Sequence, residues 1–155
     1  MSTTTESTTA AVALDGNWKA GTVAGVGAAL AMGALVAAMN PPTLGVAIPS
    51  LYGLAPPSNP TAGMFVHVSH GAVLGVAFAG IVGAAGLRST GKVVGAGLAW
   101  GVLTWIVLAA LVMPAWLGVV GSPASPPLPN VAPPSLLWHL VYGGVLGAVY
   151  GVLVN

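Results

Sequence analysis

Two long stretches of this chain contain no charged residue, and this feature limits what the chain can fold into more than any other. The first stretch covers residues 20–87 and the second covers residues 93–155. Only 3% of the residues are charged and 56% are hydrophobic, whereas about 25% of the residues of a soluble domain are charged. Because so few charges cannot cover a globule with a water-compatible surface, both stretches are predicted to lie mostly in lipid.

Each uncharged stretch contains two apolar runs of membrane-spanning length. A run of about 20 apolar residues crosses the roughly 30 Å hydrocarbon core as a helix. A helix satisfies its own backbone hydrogen bonds, whereas an open sheet leaves the groups at its edges unpaired in lipid. The sequence therefore predicts an all-α polytopic membrane protein with four transmembrane helices, at about residues 20–40, 63–87, 93–113 and 135–154.

The prolines mark the segments between these spans. All thirteen lie in two clusters, residues 41–60 and 114–134. Proline interrupts a helix because it lacks an N–H group and clashes with the preceding turn. We therefore predict that every proline lies outside the spans and that two long Pro-rich loops, residues 41–62 and 114–134, lie on the same side of the membrane.

The few charged residues predict how the chain is oriented. Lys19 precedes the first span, and Arg88 and Lys92 lie in the short connection between the second and third spans. Because basic residues beside spans stay in the cytoplasm, we predict a multi-pass protein of the cell membrane with both termini in the cytoplasm. Residues 1–17 are rich in Ser and Thr and lack Lys and Arg, so they predict a disordered polar cytoplasmic tail rather than a secretory signal. The transmembrane domain would then cover residues 18–155.

The second half of the chain repeats features of the first half. Matching residues occur in the same order, with Gly21, Gly27, Met39, Pro41, His67, Gly71 and Gly75 in the first half and Gly95, Gly101, Met113, Pro114, His139, Gly143 and Gly147 in the second. Since internal repeats dictate architecture, we predict a helical hairpin present twice and related by a pseudo-twofold axis along the membrane normal. Small residues at four-residue spacing occur in the spans and favour close helix contacts in lipid. The predicted architecture is a compact bundle of two duplicated hairpins.

Three histidines are the candidates for a functional site, because ionisable groups inside a membrane are costly and usually face the bundle interior or a polar cavity. His67, His70 and His139 lie near the predicted outer ends of the second and fourth spans. Duplication would place His67 and His139 at equal depth on facing helices, each above a glycine-lined face. Three interpretations fit this pattern. The histidines could form hydrogen bonds where the helices touch, they could bind a cofactor such as a haem b with two axial imidazoles in a glycine-lined groove, or they could serve as a metal site or a proton relay.

Several classes of function lack the residues that they need. A net charge of +1 without a basic cluster provides no electrostatic footprint for nucleic acid. The chain has no cysteine, and its spans contain no carboxylate, which leaves a three-imidazole metal site without supporting groups. No phosphate-binding Gly-rich loop or kinase motif is present in the sequence. We therefore predict no catalytic residues, no metal site and no enzymatic activity.

Three runs of the sequence resemble small uncharacterised four-helix membrane proteins of halophilic archaea: NPPTLGVAIPSLYGLAPP, HVSHGAVLGVAFAG and APPSLLWHLVYGGVLGAVYG. The resemblance covers nearly the whole chain after Trp18 and implies a four-helix membrane fold, with no established activity or catalytic residues. Some members of the family carry a histidine-kinase label. This sequence does not support such an activity, because it contains neither a dimerisation helix with a phospho-acceptor histidine nor a nucleotide-binding domain.

The sequence leaves three functions open. The scarcity of polar groups in the spans favours a non-enzymatic accessory subunit or small sensor in the lipid bilayer, with a membrane-protein partner or as a homo-oligomer. A bis-histidine haem would instead favour electron transfer with a carrier outside the membrane. A transporter or channel would need polar groups along a path through the bundle, and a four-helix chain of this size could form a pore only as an oligomer.

Overall fold

The computed structural model describes residues 16–155, and this part of the chain contains four helices long and apolar enough to cross a membrane. We label them α1 (Trp18–Met39), α2 (Pro60–Ala84), α3 (Thr90–Val119) and α4 (Pro133–Val154). The described residues contain no strand. The predicted all-α fold with four transmembrane helices is confirmed, whereas the predicted tail lies outside the described residues except for its last two positions.

Each helix begins two or three residues before its predicted start, because the first turn contains capping residues that an apolar run does not include. The Asn17 side chain accepts a hydrogen bond from the Ala20 N–H at 3.0 Å, and the Asn59 side chain accepts one from the Ala62 N–H at 3.1 Å. Such caps satisfy backbone donors that have no partner within the helix. Pro60 occupies the first helical position of α2, where its missing N–H has no cost.

The third helix does not end at its predicted boundary. The sequence predicted an end at residue 113 followed by a loop, but α3 continues through Pro114 to Val119. Within α3, residues Trp105–Val112 form a π-helix, a wider turn in which each N–H bonds to the carbonyl five residues earlier. The prediction that every proline lies outside the spans is therefore wrong for Pro114, and it is also wrong for the prolines in the first turns of α2 and α4, Pro60, Pro133 and Pro134.

A hydrogen bond from the second long loop explains why the helix tolerates Pro114. In a regular α-helix, the residue at this position would donate its N–H to the Ala110 carbonyl, but proline has no N–H. The backbone N–H of Asn130 donates to the Ala110 oxygen instead, at 2.9 Å. The carbonyl is thereby satisfied, as backbone groups in lipid must be.

The first long loop also contains helical structure that the proline pattern did not predict. After α1, residues Thr43–Ala47 form a π-helix and residues Ile48–Ser50 form one α-helical turn, and we call these two pieces the loop helix. Pro49 has no N–H for the Gly45 carbonyl, and the Asn59 N–H donates to that oxygen at 2.7 Å. Both loops therefore satisfy a carbonyl that a proline leaves free.

Glycines determine how closely the helices approach within each hairpin. Gly25 of α1 packs on the backbone of Gly71 of α2, and Gly97 of α3 packs on the backbone of Gly143 of α4. A Cβ atom at any of these positions would collide with the facing helix. In lipid, such close backbone approach provides the packing energy that holds helices together.

The two glycine contacts occupy corresponding places in the two hairpins. The number of residues from Gly25 to Gly97 equals the number from Gly71 to Gly143. The sequence alignment, which matched Gly27 with Gly101, does not follow this register. Gly27 has no neighbouring element within 4 Å of its Cβ position, whereas Gly101 packs on the backbone of α4. Small residues are so frequent here that the sequence alone did not specify the register, and the duplication itself stays a prediction.

Helices α1 and α4 pack against each other along their whole length. At one end the Asn17 N–H donates to the Tyr150 hydroxyl at 3.2 Å, and at the other the Trp138 indole N–H donates to the Met39 sulfur at 3.2 Å. A pseudo-twofold axis would make the contact between α2 and α3 equivalent to this one, but α2 and α3 touch at few positions. The helices thus pack in the order α2, α1, α4, α3.

Candidate functional site

The two ends of the bundle differ in how tightly they are closed. We call the end with the two long loops the loop end, and the end at which the described chain begins and finishes the terminal end. Towards the terminal end, Phe78 of α2 and Tyr150 of α4 pack edge to face with their ring centroids 5.8 Å apart. Both are almost fully buried, and this geometry is favourable for aromatic pairs. These rings close the bundle between α2 and α4, and a smaller cavity of about 470 Å³, which Tyr150 also lines, lies at the terminal end.

A hydrogen bond joins α2 and α4 nearer the loop end. The Tyr142 hydroxyl donates to the Gly71 carbonyl at 2.8 Å. His67 precedes Gly71 by four residues and His139 precedes Tyr142 by three, so each histidine lies about one helical turn further towards the loop end. His67 and His139 therefore lie at a similar level on α2 and α4, which this hydrogen bond joins.

The loop end contains a cleft of about 1090 Å³, which we call the loop-end cleft. Its volume lies just above the roughly 300–1,000 Å³ of typical small-molecule pockets. The apolar part of its lining includes Met32, Val36, Ile48, Leu108, Met113 and Trp138, and the polar part includes Asn40, Tyr52, His67, His70, Asn130, Ser135 and His139. All three histidines that the sequence identified thus line one apolar cleft.

Hydrogen bonds between the two long loops hold the cleft in shape. The Trp116 indole N–H at the end of α3 donates to the Leu51 carbonyl at 3.1 Å. The Ser122 hydroxyl donates to the Ser50 hydroxyl at 3.0 Å. Since Ser50 and Leu51 belong to the end of the loop helix and the residue after it, these bonds tie the loop helix to the second loop.

The ring of His67 is oriented by a contact across the first hairpin. Its Nε2 atom lies 3.1 Å from the Ala29 carbonyl oxygen of α1. A carbonyl oxygen can only accept a hydrogen bond, so Nε2 is the nitrogen that carries the hydrogen. In the neutral imidazole, Nδ1 then holds the lone pair.

The ring of His139 is oriented by its own helix. Its Nδ1 atom donates to the Ser135 carbonyl oxygen at 2.7 Å, and in the neutral ring Nε2 then holds the lone pair. Both His67 and His139 line the loop-end cleft.

The third histidine pairs with a tyrosine from the first loop. The Nε2 atom of His70 lies 2.7 Å from the Tyr52 hydroxyl, and the two rings are tilted by 47° with their centroids 5.8 Å apart. The sequence did not connect Tyr52 with His70, because no spacing rule connects a loop residue with a helix residue 18 positions later. Tyr142 had a clearer signal, since it follows His70 at the same separation at which His139 follows His67.

The glycine-lined grooves of the haem hypothesis are not open. Ala29 and Gly25 of α1 pack against Gly71, and Gly97 of α3 packs against Gly143. Neighbouring helices thus fill the space beside the histidines that a macrocycle in these grooves would need, so the helix-contact interpretation of the glycines is the correct one. A haem bound to His67 and His139 would have to lie in the loop-end cleft itself, and its presence stays a prediction.

The three histidines also do not form a metal-binding cluster with one another. Within residues 16–155, no group of three His, Asp or Glu side chains lies close enough together to hold a metal ion. The arrangement instead presents separate imidazole nitrogens to an apolar cleft, where each can form a directional hydrogen bond with a molecule bound between them.

Comparison with known proteins adds no second source of information about this site. No family model, no curated protein and no solved structure matches the chain. The resemblance to archaeal four-helix membrane proteins therefore stays a prediction, and the function has to be argued from the geometry of the loop-end cleft.

Proposed function

We propose that this chain is a non-enzymatic membrane protein, of the sensor or accessory type, that binds a small amphipathic molecule in the loop-end cleft. The observation that carries the proposal is the meeting of His67, His70 and His139 in one large apolar cleft. Apolar walls with a few convergent polar groups are the usual features of a small-molecule site. The helices of this chain contain few polar groups, so the concentration of three histidines at one cleft is best explained by ligand binding.

The packed layer of side chains between the two ends of the bundle supports binding rather than passage through a single chain. Phe78 and Leu146 are almost completely buried there, and the glycine contacts bring backbones together within both hairpins. A transport path would need polar groups along its length, but the polar groups of the cleft lie at the loop end.

The proposal predicts that protein purified in mild detergent from its native membrane retains a stoichiometric apolar molecule. Replacing Ala124, which lines the cleft from the second loop, by Trp should lower the retained amount about tenfold or more, because the indole overlaps the ligand sterically. Mass spectrometry of an organic extract measures this amount. An optical spectrum of the same sample, with a Soret band, would identify the ligand as haem.

The matched control is Ala99→Trp. Ala99 is an exposed residue of α3 and is not part of the cleft lining, so its substitution adds the same indole to the outer surface of the bundle. We expect this variant to retain as much ligand as the wild type. Equal retention by Ala124→Trp and Ala99→Trp, or a wild-type protein without any bound molecule, would contradict the proposal.

We also propose that the loop end faces the outside of the cell and that both termini are cytoplasmic. Lys19, Arg88 and Lys92 support this orientation because all three flank the terminal ends of their helices, as the positive-inside rule requires. A single cysteine introduced at Ser89 should stay unlabelled by a membrane-impermeant thiol reagent in intact cells, while one at Ser58 in the first loop should be labelled. The reverse labelling pattern would show that the orientation is wrong.

A further inference from the structure

We infer that the loop-end cleft binds an apolar molecule of the hydroquinone class, whose hydroxyl groups donate hydrogen bonds to His67 and His139. This inference rests on the proposed function and names the chemistry of its ligand. It concerns binding alone and includes no electron-transfer step.

The first step is the hydrogen-bonding character of the two rings. The Ala29 carbonyl holds the Nε2 hydrogen of His67, and the Ser135 carbonyl holds the Nδ1 hydrogen of His139. Each neutral ring therefore has only a lone pair left for a ligand. The two imidazoles act as acceptors, and the molecule that complements them must be a donor.

The second step is the position of these acceptors. The hydrogen bond from Tyr142 to Gly71 joins α2 and α4 one turn away, so His67 and His139 lie at a similar level on these two helices, and both line the cleft. A ligand with one donor can satisfy one of them. A flat ring with a hydroxyl group at each end can satisfy both at once.

The indole donors beside the cleft are already used within the protein. The indole N–H of Trp116 donates to the Leu51 carbonyl, and that of Trp138 donates to the Met39 sulfur. Acceptors without a partner in an apolar surrounding are unfavourable, so a ligand gains by supplying donors to the two imidazoles. Apolar side chains such as Met32, Val36 and Leu108 line the remaining space and suit the alkyl chain of a membrane-soluble hydroquinone.

This chemistry distinguishes three closely related probes. Decylhydroquinone has two hydroxyl donors, whereas decylbenzoquinone and the dimethyl ether of decylhydroquinone have oxygen acceptors only. Calorimetric titration under anaerobic conditions, with protein in phosphatidylcholine nanodiscs and empty nanodiscs as the blank, measures their affinities. We expect the hydroquinone to bind about tenfold more tightly than either of the others, the combined effect of two hydrogen bonds near the lower end of their usual net contribution.

Two substitutions of His139 test the role of the ring. His139→Leu removes one of the two acceptors and should lower the preference for the hydroquinone to about threefold. His139→Gln places an amide oxygen near the position of Nε2 and should preserve the preference. Thermal unfolding of each variant shows whether it remains folded, and the Gln variant keeps the test decisive if the Leu variant does not fold.

The outcomes separate this inference from the proposed function. If the three probes bind equally and Ala124→Trp blocks them all, the cleft is a binding site but the hydroquinone inference is wrong. The inference also fails if His139→Leu keeps the full preference, or if decanediol, a donor without a ring, binds as tightly as decylhydroquinone. If the native protein holds no molecule and none of the probes binds, both proposals fail.

Discussion

Replacing Phe78 by Ala is expected to lower the free energy of unfolding by about 3 kcal/mol, near the lower end of the range for buried phenylalanines. Phe78 is 1% exposed and packs against Tyr150 in the packed layer between the two ends of the bundle. In lipid the side chain stays in an apolar medium when the bundle opens, so little transfer energy is lost. The cavity and the missing dispersion contacts make up most of the effect.

The chain contains a control of the same residue type. Phe65, the other of its two phenylalanines, lies on α2 and is 74% exposed. Phe65→Ala should change the free energy of unfolding by no more than about 0.5 kcal/mol, as is usual for surface substitutions. Reversible unfolding in mixed micelles measures both variants, and equal losses would show that Phe78 does not occupy the packed centre of the bundle.

Adding one methyl group at Gly97 should destabilise the protein by a similar amount, about 3 kcal/mol, at the upper end of the usual cost of overpacking. A Cβ atom there would collide with the Gly143 carbonyl and would lie 3.0 Å from the Gly147 Cα. Both obstacles are backbone atoms, which cannot rotate away as a flexible side chain can. The α3–α4 hairpin would therefore have to separate or shift along the helix axis.

Gly95→Ala is the matched control, because Gly95 lies two residues earlier on the same helix with no neighbouring atom within 4 Å of its Cβ position. Alanine there should leave the stability unchanged or raise it by up to about 1 kcal/mol, since it favours the helix more than glycine does. The first hairpin offers a second comparison, with Gly25→Ala expected to destabilise and Gly27→Ala expected to be tolerated. Equal effects at Gly97 and Gly95 would refute the glycine contact.

The ends of the helices show where proline is an incomplete guide to structure. The end of α1 agrees with the prediction to one residue, because Asn40 precedes Pro41 and has the non-helical conformation that a following proline favours. Pro114 has the same intrinsic properties, but the Asn130 N–H satisfies the carbonyl that it leaves free. A distant residue of the loop thus decides whether a proline ends the helix, and no local pattern contains that information.

For the histidines too, the sequence determined one part of the result and the folded chain determined another. Their position near one end of apolar helices identified them as candidates, and the structure places all three at one cleft. Which nitrogen of each ring is free was not predictable, because it depends on the carbonyl of Ala29 in another helix for His67 and on the Tyr52 hydroxyl in a loop for His70.

Residence in lipid, the number of helices and the candidate histidines all follow from the sequence, because each depends on the composition and length of a local segment. Three features became clear only in the folded chain: Gly97 rather than Gly95 is the contact residue, α3 continues through Pro114, and the loop-end cleft has the shape described above. Each of these depends on a pair of residues far apart in the sequence. In a chain this rich in glycine and alanine many helix registers look alike, and the meeting of backbones across the bundle selects one of them.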